Sequence, residues 1–336
     1  MIIAGFVSTS PTWDWSRQFP DGIAEWEGVK FLIGKNVQAC DILFVYDGFS
    51  EPLLEINTRY RAFIASEPAS VKTYNPKFLE QFDAVFTTDR RTAHPNVVFT
   101  QVGLPWHVGA WDVDGKLRAR ALPFEELENL RPQKTKQVSI VSSNKAFTEG
   151  HRERLEFVAR VKSYFGEEVD VYGRGINSFA DKVEVLSDYR YHIAIENSVF
   201  KDYWTEKLAD PLLTLTYPIY HGCPNILEYF PEGSLTPIDI SEPDEAIRTI
   251  AKIVGSDAAE NAASLLGEAR RRVLHEHNLF VLLAGIAKAS LNETLPYTKC
   301  VLRSEHSSES RTNRLRKSVE RRINKLSRFF TGPQHR

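Results

Sequence analysis

A glutamate and a lysine at the start of a helix, Glu206-Lys207, stand beyond the end of a buried strand that closes on Glu196-Asn197. A lysine beside a helix start can bind an anionic ligand, with the neighbouring carboxylates holding the cation in place. Free backbone N–H groups and the helix dipole favour a phosphate there. Tyr203 falls in the polar loop between these two pairs. An isolated Glu-Lys pair on a capped helix is more often a solvated surface feature, because exposed ion pairs are common and weak. The elements that must position these groups follow from the pattern. His192–Ile195 is an apolar strand, Thr205-Glu206-Lys207-Leu208 opens a helix, and Tyr217–Tyr220 is a second apolar strand running into His221-Gly222. Strand, loop, helix and strand make one turn of a parallel α/β sheet, whose ligands bind beyond the carboxyl ends of the strands.

The wider chain repeats this alternation. Ile2–Val7, Asp41–Tyr46, Arg61–Ser66 and Ala84–Thr87 read as strands, as do Val138–Ser142 and Val169–Tyr172. His151–Phe165 fits an amphipathic helix, and Asn75-Pro76 opens a short one. Between Trp111 and Lys136 the chain loses strand character and gains charge. The expected organisation is therefore α/β, with one Rossmann-like domain over 1–130 and a second over 131–300. A basic amphipathic tail over 301–336 follows. At 336 residues the chain exceeds what one core usually organises.

Composition narrows the classes. With 42% hydrophobic and 26% charged residues the chain reads as globular, and a net charge of −2 argues against general nucleic-acid binding. Cys40, Cys223 and Cys300 are scattered without metal-ligand spacing and read as reduced thiols of a cytoplasmic protein. The first residues lack the basic flank of a signal peptide, and no apolar run reaches the length of a membrane span. Asp112-Val-Asp114 and His275-Glu-His277 have suggestive spacings but no further ligands, so no metal or other cofactor is expected. No serine or cysteine sits in a nucleophile elbow.

Glu196-Asn197-Ser198, Tyr203-x-Thr205-Glu206-Lys207 and the Pro218-Ile219 strand with Gly222 together resemble the signature of the family 10 glycosyltransferases, the α-1,3/4-fucosyltransferases that use GDP-fucose. The resemblance implies a GT-B fold of two facing Rossmann-like domains. It also implies inverting transfer of L-fucose from GDP-β-L-fucose to a glycan hydroxyl, with an α-1,3 linkage as the first expectation. Lys207 is then the first cation for the leaving diphosphate. The stretch from Ser143-Asn144 to Arg152 and Arg154 resembles the segment that supplies a donor-phosphate arginine. The match favours Arg152, with the register open between the two. Arg174, after Val169-Asp-Val-Tyr172-Gly173, resembles a residue shaping the nucleotide site. Glu206 matches a glutamate that contacts the fucose, while Glu196, Asn197 and Tyr203 organise the donor loop. Glu67, after the Phe63–Ser66 strand, resembles the general base. Pro211 departs from a regular donor helix, which implies a bend or a site needing only the first turn.

Arg311–Arg328 holds eight Arg or Lys against Glu320 alone, with Leu315, Val319, Ile323 and Leu326 on one stripe. Such a segment suits the surface of an anionic membrane. The expected setting is the inner face of a bacterial cytoplasmic membrane. There the acceptor would be an oligosaccharide or lipid-linked glycan of surface polysaccharide or lipopolysaccharide. Transfer from another nucleotide sugar, or a silent glycan- or membrane-binding module of the same fold, are the alternatives.

Overall fold

A computed structural model describes residues 1–34, 37–119, 121–142, 149–173, 175–292 and 294–308. Two sheets organise them. The first contains β1 (Ile2–Ser8), β2 (Glu25–Trp26), β3 (Val29–Ile33), β4 (Ala39–Tyr46), β5 (Leu53–Ala65), β6 (Ala84–Thr87) and β7 (Val97–Phe99), in the order β2-β3-β1-β4-β5-β6-β7. Along that order all neighbours are parallel except β2 with β3. The second contains β8 (Lys136–Val141), β9 (Val169–Tyr172), β10 (Tyr189–Ile195), β11 (Tyr217–His221) and β12 (Thr236–Pro237). Its order is β12-β11-β10-β8-β9, parallel throughout. This is the α/β architecture of two parallel-sheet units expected for a GT-B fold. The strands form where β-branched and aromatic runs are covered on both faces. Ile140, Ile193 and Ile219 are completely buried at the centre of the second sheet.

The chain does not divide at residue 300 as its composition suggests. β13 (Thr298–Arg303) pairs antiparallel with the first half of β5, so the segment returns to the first sheet. The Leu279–Ser290 helix also packs on β1, with Phe280 5.2 Å from Phe6 between ring centroids. The first half of β5 escapes a reading by apolar runs because Glu55, Asn57 and Arg59 interrupt it; backbone pairing with β13 is what holds it extended.

The strand order of the second unit matters for function. β8 connects outward to β9, and the chain then crosses back to β10 on the other side of β8. The carboxyl ends of β8 and β10 therefore flank a topological switch point, the crevice where open α/β sheets bind ligands.

Candidate active site

A cavity of about 250 Å³ opens at this switch point. Its walls include Val141 from the end of β8 and His192, Ala194 and Ile195 from β10. Among the described residues, Arg154, Lys182 and Lys207 bring cationic side chains to it and Glu206 brings a carboxylate. A larger cavity of about 720 Å³ lies on the first sheet, among Phe6, Val37, Phe49 and Cys300. It touches none of the sequence-selected residues, whereas the smaller one gathers several of them.

The Glu206–Leu213 helix is built as its sequence indicates. Thr205 is the N-cap, and its hydroxyl accepts from Lys207 N at 3.2 Å. Pro211 sits within the helix without displacing the first turn, which carries Glu206 and Lys207. Glu196 has no exposed side-chain surface. It accepts from Thr205 N at 2.8 Å and Thr205 Oγ1 at 2.9 Å, and lies 3.5 Å from Lys207 Nζ. Gly222 makes this placement possible. A Cβ there would stand 2.5 Å from Glu196 Cγ and 2.4 Å from the Tyr220 hydroxyl, closer than real side chains approach.

Charge coupling runs through the pair. Burial alone would raise Glu206, but Lys207, Lys182 and His107 outweigh it and hold the carboxyl well below the usual range. Burial works against the charge on Lys207, yet Glu206 and Glu196 raise it above its ordinary value. Glu196 is pushed up by burial, with Lys207 pulling the other way. An ionised Glu206 beside a protonated Lys207 is the resulting state near neutrality.

Of the remaining candidates, Asn197 lines the cavity and its side-chain oxygen accepts from Arg154 Nη1. Arg154 is buried, while Arg152 is exposed and does not line the cavity. The geometry thus points the arginine contribution to Arg154; helical spacing turns Arg152 to another side. Tyr203 is buried, and Glu196, Glu206 and Glu67 raise its hydroxyl pKa in addition to burial. Arg174, Ser143-Asn144 and the basic tail lie outside the described residues.

Glu67 is exposed at the carboxyl end of β5, just past Ser66. Partial burial and Asp47 raise its pKa, while Lys207 and Lys72 lower it. Glu67 and Lys207, from different units, thus lie close enough to influence each other's charge. Asp47, at φ 58° after β4, accepts from Ser66 N at 2.9 Å and from the Ser66 and Tyr74 hydroxyls. Asp47 fixes the turn that presents Glu67. Two contacts tie the units around the same opening: Ser70 Oγ to Ser198 Oγ at 2.5 Å, and Arg90 Nη2 to Asp202 Oδ2 at 2.9 Å.

Sequence reasoning missed Lys182 and Asp210. Asp210 is fully buried one turn after Glu206; Lys182 Nζ donates to it at 2.6 Å and stands 3.8 Å from Glu206 Oε1. Asp210 also accepts from His107 N at 2.9 Å and Val108 N at 3.2 Å, in the first unit. The available signal was a carboxylate on the apolar side of a short helix, a placement that requires a partner. Among the described residues no group of three or more His, Cys, Asp or Glu could hold a metal ion, and no helix is long and apolar enough to cross a membrane.

A crevice at a parallel-sheet switch point, lined by Arg154, Lys182, Lys207 and Glu206, suits an anionic ligand. Residues 131–258 match the model of glycosyltransferase family 10, the fucosyltransferase C-terminal region. The chain is similar to GDP-fucose protein O-fucosyltransferase 3 of Gallus gallus, 33% identical over 76 residues, or 22% of this chain and 16% of that protein. It is also similar to alpha-(1,3)-fucosyltransferase B of Drosophila melanogaster, 33% identical over 79 residues, or 23% of this chain and 18% of that one. The matches thus span less than a fifth of these relatives' length. A solved alpha1,3-fucosyltransferase with GDP aligns over 88% of this chain and 91% of its own at 19% identity, with a TM-score of 0.49.

Proposed function

We propose that the protein transfers L-fucose from GDP-β-L-fucose to an acceptor hydroxyl with inversion at the anomeric carbon. The observation that carries this reading is the convergence of Arg154, Lys182 and Lys207 on the strand-end cavity, with Glu206 beside both lysines. In this mechanism the three cations stabilise the charge that develops on the diphosphate as the C1–O bond to it breaks. Glu206, held ionised, faces the positive charge developing at C1. Glu67 takes the proton of the acceptor hydroxyl as its oxygen bonds to C1, and a raised pKa suits a carboxylate to that task. The residues needed for leaving-group stabilisation are present in the chain itself, so the mechanism calls on no metal.

The acceptor in this reading is a glycan hydroxyl, joined through an α-1,3 linkage in bacterial surface polysaccharide or lipopolysaccharide. The basic 311–330 segment would hold the protein on the cytoplasmic face of the membrane. The relatives named protein O-fucosyltransferase support a second acceptor class, a hydroxyl on a protein. Incubation with GDP-fucose and water as the only acceptor tests the donor half. Release of GDP and fucose, abolished in Glu206→Ala, is the expected result; a protein that binds the donor without releasing GDP would be a silent module.

A further inference from the structure

Three aromatic rings cluster at the loop that reaches Glu206, with His107 nearest to it. His107 Nδ1 is 4.0 Å from Glu206 Oε1. The His107 ring lies 5.5 Å from Trp13 and 6.4 Å from Trp111, and the two indoles are 6.2 Å apart between centroids. Their planes meet at steep angles, 50° for Trp13 with His107, 66° for the two indoles and 89° for His107 with Trp111, so the rings form a corner and not a stack. All three residues are partly exposed.

The corner is rigidly referenced to the donor helix. Its loop is held by two carboxylates of the second unit: Asp210 accepts from His107 N and Val108 N, and Asp181 accepts from Gly109 N at 2.7 Å and Trp111 N at 2.8 Å. From behind, buried Arg17 donates to Trp106 O at 2.9 Å and to Val108 O at 2.5 Å. Six hydrogen bonds on a short loop are far more than surface aromatics need, and they fix where the rings stand relative to Glu206.

We propose that Trp13, His107 and Trp111 form the wall against which the sugar ring of the nucleotide-sugar donor packs. The inference rests on the donor reading above and names the residues that would recognise the sugar. A diphosphate among Arg154, Lys182 and Lys207 places the group bonded to its terminal phosphate next to Glu206, and His107 is the ring of the corner that meets Glu206. A 6-deoxypyranose offers that corner a methyl group and a face of C–H bonds, which pack on aromatic faces while the ring hydroxyls remain free for polar partners.

The test is calorimetric titration of GDP and of GDP-fucose into the full chain and into Trp111→Ala, Trp13→Ala and Trp111→Phe. Trp111 meets Asp181 through its backbone N–H, so the alanine variant keeps the loop anchor. The alanine variants should bind GDP within about twofold of the parent while the preference for GDP-fucose over GDP falls on the order of tenfold, the usual worth of one well-packed apolar group in a binding pocket. Trp111→Phe should retain most of the preference. Equal weakening of both ligands would assign the rings to holding the fold and overturn the proposal, as would an unchanged preference. A parent protein that binds neither ligand would instead overturn the donor reading and this inference with it, whereas GDP binding with an unaltered sugar preference would overturn this inference alone.

Discussion

Lys207 Nζ stands 3.1 Å from Glu206 Oε1, two sequence neighbours whose side chains meet at the mouth of one cavity. Neighbours on a helix ordinarily diverge. Here Lys207 is drawn toward Glu206 and also toward the buried Glu196, so the ammonium is fixed by two carboxylates before any ligand arrives. A bound diphosphate would therefore meet a preorganised cation, which lessens the ordering cost of binding.

Replacing Glu67 by Gln keeps its shape and removes its capacity to accept a proton. Turnover of GDP-fucose, read as GDP release with water as acceptor, should fall by roughly 10²–10⁴-fold, the usual contribution of general base catalysis. Affinity for GDP should stay within about twofold, since Glu67 touches no nucleotide in this account. The pH dependence carries a sign. Burial and Asp47 raise Glu67, so the acid limb of activity should lie above the usual glutamate range, with activity lost as pH falls through it. A Glu67→Gln enzyme of full activity would remove Glu67 from the mechanism.

Asp210 joins the two units, accepting from the first unit's loop and from Lys182. Asp210→Ala leaves Lys182 without its close partner and two backbone N–H groups without an acceptor. Removing one member of a buried ion pair typically costs about 3–5 kcal/mol. Urea unfolding should show a loss of that order; a change below about 1 kcal/mol would mean that the loop is held by Asp181 and Arg17 alone.

His192 is buried in the cavity wall with Nδ1 2.8 Å from Ser139 Oγ, and burial, with a smaller effect of Lys182, lowers its pKa to about 3. The folded protein thus prefers the neutral ring. Its stabilising effect is fully present above the unfolded value near 6.5 and is lost as pH falls from there toward 3. Across that window the slope from this residue is about 1.4 kcal/mol per pH unit. His192→Gln should flatten the pH dependence of urea unfolding between pH 6 and 4 by about one proton; an unaltered slope would show that His192 is protonated in the folded state.

The basic segment should confer membrane affinity that depends on lipid charge. The full chain should sediment with vesicles containing phosphatidylserine and remain in solution with pure phosphatidylcholine, and a chain ending at Ser308 should lose the difference. Each Lys or Arg near an anionic surface contributes about 1 kcal/mol. Equal sedimentation with both lipids, or none with either, would contradict the attachment.

The donor strand and helix were legible because local signals agreed there. An apolar run ended at Glu196, a threonine capped the helix, and apolar Tyr217–Tyr220 became a buried strand. Glu67 was legible as a carboxylate just past a strand end, although Asp47, which sets its turn, was not. What stayed hidden depends on tertiary contact. Lys182 and Asp210 meet only because the helix starting at Lys182 packs beside the Glu206–Leu213 helix, and no spacing encodes a 2.6 Å contact between positions 28 residues apart. The choice between Arg152 and Arg154 hung on the phase of the Glu149–Phe165 helix, which residue types alone left open. β13 was invisible because its only apolar run is the three residues Cys300-Val301-Leu302, which make a strand only against β5.

The most direct test of the donor site is titration of GDP-fucose, GDP-mannose and UDP-galactose, with chelator present, into the parent protein and Lys207→Met. The account predicts that the parent selects GDP-fucose under these conditions and that Lys207→Met loses most of the affinity. Preference for another nucleotide sugar, or GDP-fucose binding that survives loss of Lys207, would contradict it.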